Sequence, residues 1–145
     1  MLGNMGRTTK IALAREQLED GIGLFLSGRY VSALTLLGAS EEILSRIIQE
    51  KTGSHPLENL WQWANRTRTR LGRPHMSKQE IFQSWNAGRN TVKHHNLGEP
   101  QSLSYDRFGE AFMMIQRATG SADYLKLKYI GKKSYKAWLV EKSLS

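Results

Sequence analysis

The sequence predicts an all-α protein, an up-and-down bundle of about five helices. Three observations carry that expectation. Apolar residues recur at three-to-four spacing through five segments, the signature of amphipathic helices. The three prolines, Pro56, Pro74 and Pro100, all fall between those segments. Period-two alternation occurs only at residues 125–129, and no partner strand is evident for it.

The first helix is expected over residues 10–27, with Ile11, Ala14, Leu18, Ile22 and Phe25 on its apolar face. Gly21 and Gly23 each cost about 1 kcal/mol relative to Ala inside a helix, so they predict a close approach by another backbone. Gly28 and Arg29 leave room for a short turn. A second helix follows over 30–51, with Leu34, Leu37, Leu44 and Ile48 on one stripe and Ala33, Leu36, Ile43 and Ile47 beside it. Two long helices joined so briefly form an antiparallel hairpin. Gly53, Ser54 and His55 break the chain, and Pro56 suits the first position of a third helix. Leu57, Leu60, Trp61 and Ala64 are that helix's buried face, which Leu71 extends before Gly72 and Pro74 stop it.

Ser77 and Glu80 read as a capping box. It opens a fourth helix that carries Ile81, Phe82, Trp85 and Val92 and ends near His95, with Ala87-Gly88 as a candidate kink. A fifth helix is expected from about Ser104, burying Tyr105, Phe108, Phe112 and Ile115 and ending at Gly120. Residues 125–129 fit a strand or a short helix equally well. A last helix over 134–142 is built around Tyr135, Trp138 and Leu139. The chain therefore reads as one domain: a flexible N-terminus over 1–9, a bundle over 10–127, and a basic extension of the same domain over 128–145.

The chain has 145 residues, no cysteine and a formal net charge of +8. That length buries a real core, and a hydrophobic fraction of 39% with four Trp argues against disorder. Without Cys there is no disulfide framework, thiolate zinc site or cysteine nucleophile. No apolar run approaches the roughly 18 residues of a membrane span, and the N-terminal segment lacks the apolar core of a signal peptide. The expectation is a cytoplasmic protein without membrane contact. Neither the spacing of His55, His75, His94 and His95 nor any glycine-rich loop suggests a metal or a cofactor, so none is expected. The positive balance points to an anionic partner, with RNA, DNA and acidic protein all open.

Residues 86–96 concentrate polar chemistry. On a continuing helix Asn86, Asn90 and His94 share one face, and Arg89 and Lys93 a neighbouring one. An arginine that grips a phosphate and a histidine that titrates near neutral pH are the parts needed for metal-free RNA cleavage by the strand's own 2′-hydroxyl. A solvated helix end whose cations complement the macrodipole uses the same residues.

Glu41 falls on the Leu34, Leu37, Leu44 and Ile48 stripe, and a carboxylate there needs a partner. Arg89 or His94 is one candidate; water or a surface cation such as Arg46 is the other. Glu42 lies off the stripe, in solvent. Arg66, Arg68, Arg70, Arg73 and Lys78 form the densest basic stretch. Their alternation spreads them around a helix. They suit either a loop or helix end on a phosphate backbone or a solvated connector. Lys126, Lys128, Lys132, Lys133 and Lys136 make a second basic region. Trp61, Trp63, Trp85 and Trp138 fit a core or a dimer interface, with Trp63 off the apolar face.

Arg89, four intervening residues and His94 form an R-x4-H motif, with Asn90 directly after the arginine. It sits behind Gly28-Arg29-Tyr30-Val31-Ser32-Ala33-Leu34 and Ala39-Ser40-Glu41-Glu42-Ile43-Leu44, and ahead of Glu110-Ala111-Phe112-Met113-Met114-Ile115-Gln116-Arg117-Ala118. In this arrangement the chain resembles the HEPN superfamily over residues 10–127. The resemblance implies a helical bundle that forms a homodimer with the motif helices facing each other. It implies, for many members, a metal-independent endoribonuclease of toxin or defence type, sometimes paired with an antitoxin protein. Other members are non-catalytic modules that bind RNA, a nucleotide or a partner protein. Carried over, Arg89 contacts the scissile phosphate, His94 is the acid/base, and Asn90 orients one of them. His95 is the alternative acid/base, because the family tolerates one or two extra intervening residues. Glu41 joins these as a candidate catalytic residue, and Lys93, Arg66, Arg68, Arg70 and Arg73 are the candidate RNA contacts.

Overall fold

The computed structural model describes residue 3 and residues 5–142. It is all-α, with no strand among the described residues. The helices are α1 Lys10–Leu26, α2 Tyr30–Thr52, α3 Leu57–Arg70, α4 Lys78–Lys93, α5 Arg107–Tyr124 and α6 Lys132–Glu141. The described residues hold six rather than about five, because the last segment is a full helix. The stretches expected at 1–9 and 128–145 reach partly outside the described residues.

α2 is the central element. It packs along α1 and α5 and touches α4, while α3 rests on α4 and α6 returns to α1. The core is the seam that α1, α2 and α5 share: Leu18, Ile22 and Phe25, Leu34, Leu37 and Leu44, and Met114, Ile115 and Ala118. Each large side chain buried there contributes about 1.5–3 kcal/mol. Gly21 makes a close approach to α2: a Cβ there would lie 2.7 Å from the Leu37 side chain and 3.3 Å from its backbone nitrogen. Gly23 has open space instead. Ser40 Oγ donates to the Ala14 carbonyl at 2.8 Å, fixing α2 against α1. At the hairpin end Phe25 meets Tyr30, Tyr135 and Trp138 edge-on, so α6 closes the core with aromatic rings.

Several helix ends differ from expectation, and hydrogen bonds explain them. α5 begins at Arg107 rather than near Ser104, because Asp106 Oδ1 accepts the Gly109 N–H at 2.9 Å. It runs through Gly120 to Tyr124, since Ser121 and Ala122 stay buried. Residues 125–129 are neither strand nor helix. They form the stop of α5, where the Leu127 N–H bonds to the Ala122 carbonyl and the Lys126 N–H to that of Asp123. This is a Schellman end with Lys126, at φ +55°, in the left-handed position that glycine normally takes, and with Leu127 tucked into the core. The alternating pattern is one buried leucine in a helix stop.

α3 departs most from its predicted face. Leu57 is buried, but Leu60 and Leu71 are exposed, and the other buried residue is Asn65. The Asn65 side chain donates to the Met76 carbonyl at 2.8 Å and accepts from the Met76 N–H at 2.9 Å. α3 packs chiefly on α4 and the return loop, and there a polar clamp replaces an apolar seam. Pro56 sits at the N-cap of α3 and Leu57 takes the first helical position. Phe108 is also more exposed than its pattern implied. Ser77 caps α4 as predicted, accepting from the Glu80 N–H at 3.1 Å. None of the described helices is long and apolar enough to cross a membrane.

Candidate functional site

α4 ends at Lys93, and His94 is its C-cap, with extended backbone at φ −130° and ψ 144°. His94 therefore does not continue the face of Asn86 and Asn90, which corrects the helical alignment expected for the motif. Gly98 and Pro100 shortly beyond favour that departure. His94 and His95 are exposed, and so are Asn90 and Lys93. His95 Nδ1 lies 4.0 Å from Glu99, a carboxylate four residues along the chain.

Arg89 turns the other way, inward across α2. Its Nη1 donates to Glu42 Oε2 at 3.1 Å and to the Gly38 carbonyl at 3.3 Å. The path exists because position 38 has no side chain: a Cβ there would lie 2.5 Å from Arg89 Cδ. The Arg89 side chain is only 13% exposed. Glu42 is exposed, as expected, and is also its ion-pair partner.

Glu41 is buried, as its place on the apolar stripe required, but its partner is neither Arg89, His94 nor Arg46. It is Arg117 of α5, whose Nη2 lies 3.2 Å from Glu41 Oε2. The same nitrogen donates to Asn86 Oδ1 at 3.1 Å, and Nη1 to the Trp85 carbonyl at 3.2 Å. Removing one member of such a buried pair costs about 3–5 kcal/mol, since the other charge is left unpaired. The sequence does hold a signal for Arg117. It lies three residues after Met114 and four before Ser121, both buried, so it is a cation on a buried stripe, as Glu41 is an acid on one.

These side chains line a cleft of about 150 Å³ between α2, α4, α5 and the turn before α3, joined by Arg46, His55 and Lys78. Arg89 Nε and Arg117 Nε are buried there without a hydrogen-bond partner among the described residues. Each such donor costs about 1–3 kcal/mol of desolvation while unmet. His55 Nδ1 accepts the Leu57 N–H at 3.1 Å, capping α3. Burial chiefly lowers its pKa below 6.5; Glu41 opposes the shift, and Arg46, Arg117 and Lys78 add to it. The structure thus brings Glu41 and Arg89 into one cleft, with Arg117, Glu42, Arg46 and His55 added to it. His94, His95, Asn90 and Lys93 are not part of it.

The basic stretch also divides. Arg68 is half-buried and its Nε donates to the Pro74 carbonyl at 2.6 Å, holding the return loop. Arg66, Arg70 and Arg73 are exposed, and no carboxylate pairs with them among the described residues. Trp63, Arg66 and Arg70 stand at i, i+3 and i+7 and share one face of α3, while Arg68 lies on another, so the alternating arginines do spread around the helix. Trp63 is 58% exposed. Trp61 is not part of that face; its Nε1 donates to the Met76 carbonyl. Among the described residues no three or more His, Asp or Glu side chains gather as a metal site would require.

No family model, curated protein or solved structure matches the chain.

Proposed function

We propose that this chain is a HEPN-like RNA-binding protein that holds a single strand along the outer face of α3. The observation that carries this reading is the exposed, acid-free face of Trp63, Arg66 and Arg70, with Arg73 just beyond. Arginines neutralise phosphates, and an exposed aromatic ring gives a base a stacking surface. The net charge of +8 favours approach by a polyanion. The HEPN-like character rests on the R-x4-H motif and its place in an all-α chain. The test is titration of a labelled single-stranded RNA across salt concentrations. Affinity falls with salt by a slope of about −0.7 per phosphate neutralised. Undetectable binding at low salt refutes the reading.

A second reading adds cleavage, and the exposure of His94 favours it. The imidazole stands at the end of α4 without a hydrogen-bond partner among the described residues, open to a strand or to a second copy. The reading requires Arg89 to exchange Glu42 for a phosphate, in a homodimer where the arginine and histidine of two chains converge on it. His94 moves the proton of the attacking 2′-hydroxyl, Arg89 steadies charge on the phosphate, and the product carries a 2′,3′-cyclic phosphate. DNA, lacking that hydroxyl, is left intact. His94→Ala then lowers the rate by about 10²–10⁴, with His95→Ala milder and a chelator without effect. RNA that is bound but never cut assigns the protein to the non-catalytic modules.

A further inference from the structure

Lys126, Lys128, Lys132, Lys133 and Lys136 make a basic region unlike the α3 face. α3 sets arginines beside an exposed indole, whereas this stretch has lysines, no arginine, and exposed aliphatic side chains. The turn before α6 is fastened down and still holds an isoleucine outward. Leu127 is in the core, the Ile130 N–H donates to Glu19 Oε2 at 2.7 Å, and a Cβ on Gly131 would lie 2.9 Å from the Ile22 side chain. Between these anchors Ile130 is 78% exposed. Lys128, Ile130 and Lys133 border one open hollow of about 350 Å³.

α6 continues the pattern. Its inner side, Tyr135, Trp138 and Leu139, packs on the core. Lys133, Lys136, Ala137 and Val140 stand at i, i+3, i+4 and i+7, so they share the outer side, and all four are exposed. The acids nearby do not neutralise it. Glu19 is turned to the Ile130 N–H, and Asp123 takes Lys132 at 3.1 Å and the Tyr129 hydroxyl at 3.0 Å. Glu141 follows Val140 and stands about 100° round the helix from it. Lys126, Lys128, Lys133 and Lys136 have no carboxylate partner among the described residues. A nucleic-acid strand uses such lysines but not the aliphatic side chains, which give a base no stacking surface. A bilayer with anionic headgroups uses both: lysines reach the phosphates while their stems and the aliphatic groups lie against the acyl boundary.

We propose that the turn at Ile130 and the outer face of α6 rest on an anionic lipid bilayer, with Ile130 and Val140 at the acyl boundary and Lys128, Lys133 and Lys136 at the headgroup phosphates. Such a contact lies in the plane of the interface and needs no spanning helix. It replaces the expectation of no membrane contact, which rested on the lack of a spanning run. The surface does not depend on the α3 reading.

The test is co-sedimentation of the full chain with vesicles of phosphatidylcholine, alone or mixed with phosphatidylserine. The chain binds the mixed vesicles and not the neutral ones, and salt weakens the binding. Lys133→Glu with Lys136→Glu lowers partitioning about twentyfold or more, since each lysine near an anionic leaflet multiplies it about fivefold. Arg66→Glu with Arg70→Glu changes the net charge equally and costs much less. Ile130→Ser with Val140→Ser keeps the charge and lowers partitioning about threefold or more. These positions are exposed, so the melting temperature holds. The chain has no cysteine, so Ala137→Cys carries a polarity-sensitive dye on this face alone, and its emission moves to the blue on mixed vesicles. Equal binding to neutral vesicles, no binding to mixed ones, or an unshifted dye overturns the proposal. So does full binding by the serine pair, or equal loss from the two charge reversals, since either reduces the effect to net charge. If the lysine reversal weakens oligouridylate as much as the arginine reversal does, the face belongs to the RNA surface and the proposal falls. Vesicle binding by a chain that binds no RNA upholds this surface and refutes the α3 reading alone.

Discussion

Two arginine-bearing regions of this molecule look alike in sequence and do different work. Arg89 and Arg117 lie on amphipathic helices that face α2, with side chains 13% and 12% exposed. Their guanidinium groups bond to Glu42, Glu41, a side-chain amide and two backbone carbonyls. Arg66 and Arg70 also lie on an amphipathic helix, yet they stand in solvent without a carboxylate partner among the described residues. The difference is what lies opposite. α2 presents two successive carboxylates, and Gly38 clears the path to one of them. α3 has α4 beneath it and water outside. The net charge of +8 is therefore unevenly available: the buried arginines are largely committed to the fold, and α3 keeps its charge for a ligand.

The strongest way to break this comparison is to remove a committed partner. Glu41→Ala leaves Arg117 buried without its carboxylate and lowers unfolding free energy by about 3–5 kcal/mol in a denaturant titration. Replacing the pair together, Glu41→Leu with Arg117→Met, costs far less, because no charge is stranded. A single substitution that costs under about 1 kcal/mol means the pair behaves as a surface bridge.

Charge reversal on the open face sharpens the other side. Arg66→Glu with Arg70→Glu weakens single-stranded RNA binding and makes the salt dependence shallower by about 0.7 for each phosphate no longer neutralised. Folding stability stays within about 0.5 kcal/mol. Trp63→Ala removes a stacking surface at about 1–3 kcal/mol of binding. If Arg89→Ala weakens RNA binding more than the α3 reversal does, the two regions have exchanged roles.

The smallest effect is a pH dependence. His55 has its pKa lowered in the folded chain by burial, then by Arg46, Arg117 and Lys78 against Glu41. The unfolded imidazole titrates near 6.5. Between those values the unfolded chain binds more protons, so this contribution is complete above the unfolded value and is lost as pH falls through the folded one. His55→Gln lacks it. The stability difference between wild type and variant therefore narrows on going from about pH 7.5 to about pH 5. A gap that widens on acidification overturns the assignment of a neutral His55.

Much of the fold is legible locally. The α1–α2 hairpin, the close approach at Gly21 and the Ser77 cap follow from spacing and residue type. Elsewhere a longer-range fact overrides the local pattern. Leu125 and Leu127 alternate as a strand does, yet a left-handed Lys126 and the bond from Leu127 to Ala122 make them a helix stop. Leu60 keeps helical rhythm with Leu57 and is still exposed, because α3 packs chiefly on α4 alone.

The candidate site divides along the same line. The sequence by itself determined that Glu41 sits on a buried stripe and needs a partner, since helical periodicity is a local property of the chain. Only the tertiary structure decided which cation answers it. Arg117 meets Glu41 and Arg89 meets Glu42 because α4 and α5 come to rest on α2 at one register. Likewise the spacing of Arg89 and His94 is fixed in the sequence, but the ending of α4 at Lys93 sends the two side chains to different surroundings. His55 carries no motif, and it reaches the cleft because the turn before α3 folds back over α2. Local spacing sets which face a side chain takes on its own helix, whereas the partner opposite is chosen by how helices pack, which no local pattern encodes.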